Sequence, residues 1–219
     1  GALYNAAFQN TIEFTGFQNS VLTYAGAAGY FHHLFINKST GYSVTQVGNT
    51  SCQNSGNMTV ENGTYNLNGY ILWVFGDVTL NDLGTLSVPA NSNFILADGK
   101  TLNVNSGGRI EFTGTLVNQA NIRANVPTAR YAFNVNSGGT IAADYGIFKN
   151  ISANGLYVYS GATIDPAHAF KGCSFQDGTA GGTLLTIANN QTLTVRNAVF
   201  PTNTWGGASN VAKTLNQGR

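Results

Sequence analysis

Charge is scarce in this chain. Asp, Glu, Lys and Arg make up 9% of its 219 residues, against roughly 25% in ordinary soluble domains. The cations are scattered (Lys38, Lys100, Arg109, Arg123, Arg130, Lys149, Lys171 and Arg196 among the ten), and the net charge is +1. That excludes an electrostatic case for nucleic acid or for an anionic membrane. Long apolar runs are missing as well, and no segment approaches the ~20 consecutive apolar residues that span a bilayer. Cysteine is limited to Cys52 and Cys173, which fit no metal spacing, so no metal or cofactor is expected. A long apolar stripe of period 3.6 is also absent, and Gly, Asn and β-branched residues dominate, which argues against helix anywhere. No signal peptide is visible at Gly1, so either a leader has been removed or the chain is a piece of a longer one. Low charge with abundant Asn, Thr and Gly reads as an extracellular bacterial protein whose surface is solvated by amides and hydroxyls.

What is present is a repeated phrase. Residues 102–110 read LNVNSGGRI, residues 133–141 FNVNSGGTI and residues 156–164 LYVYSGATI. Aligning the first apolar residue makes Leu102, Phe133, Leu156 and Leu185 equivalent. Val104, Val135, Val158 and Ile187 follow, then Ile110, Ile141, Ile164 and Leu193. The spacing of about 23 to 31 residues marks a solenoid-like array. Within each unit, alternation means strand, and Ser-Gly-Gly or Ser-Gly-Ala means turn. A second short strand follows, and a third carries Phe148, Phe175 or Phe200.

Three short strands per unit describe one rung of an all-β, right-handed parallel β-helix. One rung cannot bury its apolar side chains alone, whereas stacked rungs pair backbones at ~4.8 Å and build a continuous column. The chain is expected to form one domain over residues 1–219, with about eight or nine rungs and a length of ~40 Å. Residues 1–30 are the least regular and are expected to be a cap or a leading rung. Leu, Val, Ile and Phe should point inward, and Asn, Thr, Ser and Tyr outward.

The stretches YFHHLFINKSTGYSVTQVGN, MTVENGTYNLNGYILWVFGDVTL and FNVNSGGTIAADYGIFKNISANGLYVYSGATI resemble repeat regions of large secreted surface proteins of Bacteroidetes-like bacteria. The resemblance covers most of the chain and implies export, a cell-surface or extracellular location, and a β-helical stalk or adhesive module. It implies no reaction. Where that pattern carries Thr or Gly on the outside, this chain has bulky residues. Taking Leu72 and Val74 as inward makes Ile71, Trp73 and Phe75 outward. By the same alternation Phe35 is outward, and so are Tyr157 and Tyr159, where sister rungs have Asn103, Asn105, Asn134 and Asn136. These six residues are the candidate contact surface, although isolated exposed apolar residues need no explanation.

Catalytic constellations are not evident. Adjacent His32 and His33 should face opposite ways on a strand, and His168 lies far along the rod. The nine acids form no close pair, and Asp144 and Asp165 fall in different columns, while Asp77 and Asp82 suit turns. There is no G-x-S-x-G elbow, no phosphate loop and no regular Thr column for ice binding. Cys52 and Cys173 are four or five rungs apart, ~20 Å, too far for a disulfide.

The end of the chain, VAKTLNQGR, reads as the opening of another rung. The open ends suggest either a longer parent protein or head-to-tail contacts with other copies. The expected function is therefore a non-catalytic extracellular structural or adhesive β-solenoid: a stalk, matrix component or filament subunit. Its partners would be other copies of itself or surface polysaccharide. A β-helix polysaccharide lyase or glycoside hydrolase, or a carbohydrate-binding module, is the alternative.

Overall fold

The computed structural model describes residues 10–23, 30–202 and 205–214. Among these there is no helix, and every strand pairing is parallel. The chain coils into a β-solenoid of about eight turns with three sheet faces. The first face runs through Thr11–Gly16, His33–Lys38, Met58–Asn66, Val78–Pro89, Thr101–Val104, Tyr131–Val135, Ile151–Val158, Thr183–Ile187 and Ser209–Lys213. The second runs through Ser20–Thr23, Ser43–Val47, Arg109–Thr113, Thr140–Asp144 and Thr163–Lys171, and is joined to the first by the two long strands Met58–Asn66 and Val78–Pro89. The third holds Tyr30–Phe31, Thr50–Cys52, Ile71–Val74, Asn93–Leu96, Ala120–Ala124, Gly146–Lys149 and Ser174–Gln176.

The columns deduced from the repeat are the columns of the sheet. Leu102 pairs with Phe133, Phe133 with Leu156 and Leu156 with Leu185; Val104, Val135, Val158 and Ile187 do likewise. Ile110, Ile141 and Ile164 are in register on the second face. Leu193 does not extend that column as a strand. The side-chain amide of Gln191 occupies the ladder position instead, accepting the Ile164 N–H (2.6 Å) and donating to the Ile164 carbonyl (2.9 Å). Leu193 is left only partly buried against the core.

The third strand carries a stack of rings. Phe148 and Phe175 lie 5.0 Å apart at 17°, and Phe175 and Phe200 lie 4.9 Å apart at 7°. Phe112 meets Phe148 edge-on at 4.9 Å, so the stack is continuous with the second-face column. Cys173 is buried beside these rings and accepts the Gly146 N–H at Sγ (3.3 Å); burial pushes its thiol up to about 12. Cys52 is also buried and free, five ladder steps away on the third face.

The repeated Ser-Gly-Gly is a packing requirement. Gly138 has φ +79°, and a Cβ on Gly139 would stand 2.3 Å from the Val104 carbonyl oxygen of the preceding rung. The corner has no room for a side chain there, whereas the equivalent corner one rung on accepts Ala162.

The asparagines are part of the framework. At the corners, a side-chain oxygen takes a backbone N–H from the next rung: Asn19 from Ser43, Asn49 from Ile71, Asn57 from Asp77, Asp77 from Thr101 and Asp98 from Arg130, all at 2.8–3.0 Å. Each such bond is worth ~1 kcal/mol net. Short polar side chains thus stitch successive rungs where the ladder turns and backbone pairing lapses.

Several residues expected outside are buried, among them Thr50, Ser92, Asn150, Asn189 and two tyrosines. Tyr65 and Tyr131 are fully buried, although tyrosines were expected outside. Tyr65 fits because its hydroxyl donates to Oε1 of buried Gln46 (3.0 Å), whose amide in turn donates to the carbonyls of Gly48 and Ile71 (2.8 Å each). A buried polar group that is fully bonded is tolerated.

At the N-terminal side, Thr11–Gly16 pairs with His33–Lys38 and Ser20–Thr23 with Ser43–Val47, so these segments form a leading rung. The rest of the expected cap, residues 1–9 and 24–29, lies outside the described residues. Ser209–Lys213 pairs with Thr183–Ile187, so the start of VAKTLNQGR does open another rung, and residues 215–219 lie outside the described residues.

Truncating the ring stack should be costly. Phe148→Ala is expected to lower unfolding free energy by ~3–5 kcal/mol, measured by chemical denaturation. A loss under ~1 kcal/mol would mean that the stack is not a continuous core.

Candidate functional site

The first face presents an outer surface that carries Glu13 and Glu61 toward its N-terminal side and no charge on the four strands from Thr101–Val104 to Thr183–Ile187. Phe35, Thr59, Thr79, Asn103, Asn134, Tyr157 and Thr186 share one outward column. Asn81, Asn105, Asn136 and Tyr159 continue the next column one step beyond the paired strands. The amides are laddered. Asn134 Nδ2 donates to Asn103 Oδ1 (3.1 Å), Asn136 to Asn105 (2.8 Å), Asn105 to Asn81 (2.8 Å), and Asn81 to Glu61 (2.9 Å). Both rows end at a tyrosine. Tyr157 and Tyr159 follow Asn134 and Asn136, and their rings lie 4.2 Å apart at 36°. Alternation placed both outward, as the structure does.

The other candidates are not brought to that spot. Phe35 shares the column of Tyr157 but lies five ladder steps away, ~24 Å. Ile71, Trp73 and Phe75 lie along the third face. Of the six, only Tyr159 is largely exposed, at 38%; the others are half-buried. They do not form one patch. Trp73 is in register with Ile95, which is outward but only 1% exposed, and Ile95 with Arg123. Part of the third-face apolar surface is thus covered by its own neighbours.

The second face carries a charged group that sequence reasoning missed. Arg109 Nε donates to Glu111 Oε1 (2.5 Å), and its Nη2 donates to Asp165 Oδ2 (2.7 Å). Asp165 is two strands away, and Ala142, in register with Glu111, lies between. Ala142 is 2% exposed on an outward position, so the guanidinium spans a small residue. Asp165 begins a bulge, Asp165–His168, that sets four residues against Ala142 alone. The bulge returns His168 Nδ1 to 2.7 Å from Asp144 Oδ2. Asp144 and Asp165 occupy different columns, as expected, yet one bulge ties both to the same surface. No spacing rule signals this, because Arg109 and Asp165 are 56 residues apart.

The Arg109 hydrogen bond holds the Asp165 carboxyl below its usual 3.8, against a smaller opposing effect of burial. Burial works against the Arg109 cation, but its bonds to Glu111 and Asp165 outweigh this and raise its value. Beside the bulge is a groove of about 490 Å³ lined by Pro166, Ala167, Ala169, Lys171, Thr192, Leu193, Thr194 and Arg196. No carboxylate lines it.

His32 and His33 do not face opposite ways. The chain bends at His32, and the two rings meet edge to face at 4.0 Å. His33 Nδ1 accepts the Asn57 N–H (3.0 Å), while burial and, secondarily, His32 lower its basicity. His32 Nε2 donates to the Asn54 carbonyl (2.9 Å). Among the described residues no group of three or more His, Cys, Asp or Glu could hold a metal ion, and no helix is long and apolar enough to cross a membrane.

No family model matches the chain, and no curated protein does. Among solved structures, the crystal structure of a TibC-catalysed, hyperglycosylated fragment of TibA is similar at 14% identity. That match covers 92% of this chain and 97% of that one, with a TM-score of 0.15. At that score the likeness carries no structural argument.

The Arg109–Asp165 pair gives a signed pH expectation. Because the folded value of Asp165 is below 3.8, its ionised form stabilises the fold above that pH, and the contribution is lost as pH falls through the lowered value. Asp165→Asn should lower the melting temperature at pH 7, and the difference from the parent should close as pH falls through that lowered value. A difference unchanged by acid would show that the pair contributes no charge-dependent stability.

Proposed function

We propose that this chain is a non-catalytic, extracellular structural or adhesive β-solenoid, at work on or near a bacterial cell surface. The observation that carries this reading is the outer surface of the first face. Its side chains are committed to a ladder of amides and to two tyrosines, with no charge over four consecutive strands. A rod stitched in this way is stiff and polar along its length, which suits a stalk or matrix component. The resemblance of its repeats to secreted surface proteins of Bacteroidetes-like bacteria agrees with that role. Association with other copies, laterally or end to end, is part of the proposal.

A second reading is favoured by one observation. Glu111, Asp144, Asp165, Arg109 and His168 converge on the second face, and β-helices can carry enzymes. Against a lyase or glycosidase role, Glu111 and Asp165 share one guanidinium, and the ionised Asp165 cannot donate a proton near neutral pH. The adjoining groove is lined by cations without acids.

Incubation with neutral and acidic polysaccharides separates the two. The structural reading expects no new reducing ends and no unsaturated products above a buffer control. Cleavage at enzymatic rates, abolished by Asp165→Asn or His168→Ala, would establish the second reading.

A further inference from the structure

We infer that the first face binds a neutral polysaccharide, seated against Tyr157 and Tyr159 and running over the asparagine rows. This inference rests on the adhesive reading and names the chemistry of its ligand.

Strands Thr101–Val104, Tyr131–Val135 and Thr183–Ile187, together with residues 156–160, contain no Asp, Glu, Lys, Arg or His. An anionic or cationic partner would find no counter-charge here, and salt would not govern its binding. A neutral, hydroxyl-rich chain suffers no such penalty.

What the surface offers matches that chain. Tyr157 and Tyr159 present two tilted rings 4.2 Å apart on the outer side of the sheet. Ring faces accept the C–H surface of a sugar, and the phenols remain available for hydrogen bonds. Thr186 and Ala188, the next residues in these columns, are only 6% and 7% exposed. The tyrosines therefore stand between covered residues on one side and the asparagine rows on the other.

The ladder has a direction that ends at the rings. Each amide donates toward the N-terminal rung, so Asn103 and Asn105 have acceptor oxygens already engaged. Asn134 and Asn136 are the last donors, and neither Oδ1 accepts an intramolecular hydrogen bond among the described residues. Two acceptors thus lie next to two rings, a combination suited to hydroxyl donors. A second copy of the chain is a poorer fit. Protein interfaces bury ~800 Å² per partner with an apolar centre, and one half-buried and one exposed tyrosine flanked by amides do not supply one.

The test is affinity electrophoresis of the whole chain in native gels cast with xyloglucan, galactomannan or dextran, and with polygalacturonate as a charged control. At least one neutral polymer should retard the protein, with retardation unchanged by added salt. Tyr157→Ala/Tyr159→Ala should weaken it by about tenfold or more, a hot-spot-sized effect. Trp73→Ala on the third face should not, and thermal melting should show all variants folded. Absence of retardation by every neutral polymer would overturn the inference, as would equal retardation of the double variant or salt-sensitive binding to polygalacturonate alone. None of these outcomes touches the non-catalytic reading, which fails only if products are released.

Discussion

Parallel strands stacked in register force each side chain to lie over its counterpart one rung away, and the rest of this structure follows from that constraint. In the interior apolar must stack on apolar, because a rung spacing of ~4.8 Å leaves little room for mismatch. Inside, the constraint produces the valine and isoleucine columns and the Phe148–Phe175–Phe200 ring stack. Outside, it produces the amide ladder, since an asparagine above an asparagine can donate and accept along the axis. At the corners, it requires Gly139 to lack a side chain against Val104.

The same constraint explains why charge is rare. Identical charges in one column would repel at every step. The chain resolves this by using amides where a solvated surface is needed and by tying ions across columns. Arg109 reaches over Ala142 to bridge Glu111 and Asp165, so an ion pair is built between columns rather than along one.

The repeat made much of this legible in the sequence. Leu102, Phe133 and Leu156 could be aligned because the Ser-Gly-Gly or Ser-Gly-Ala that follows each fixes the phase, and period-two alternation then set the outward positions, Tyr157 and Tyr159 among them. Features built by side chains from separate rungs were not legible. Tyr65 is inward because Gln46, on another strand, satisfies its hydroxyl. Gln191 ends the second-face ladder by imitating a backbone amide, which no apolar pattern records. The Asp165–His168 bulge interrupts the period that would have revealed it. The six candidate contact residues alternate with buried neighbours, but their distribution over two faces depends on which strand each occupies around the turn.

The most direct test of the account measures distance along one outward column. Thr59 and Tyr157 are four ladder steps apart on the first face, so their backbones should be separated by ~19 Å. Spin labels at these two positions, with Cys52 and Cys173 replaced, should give a single narrow distance distribution by pulsed electron resonance, centred on that separation plus the label tethers. A broad distribution, or a narrow one centred far from it, would contradict the in-register parallel stack.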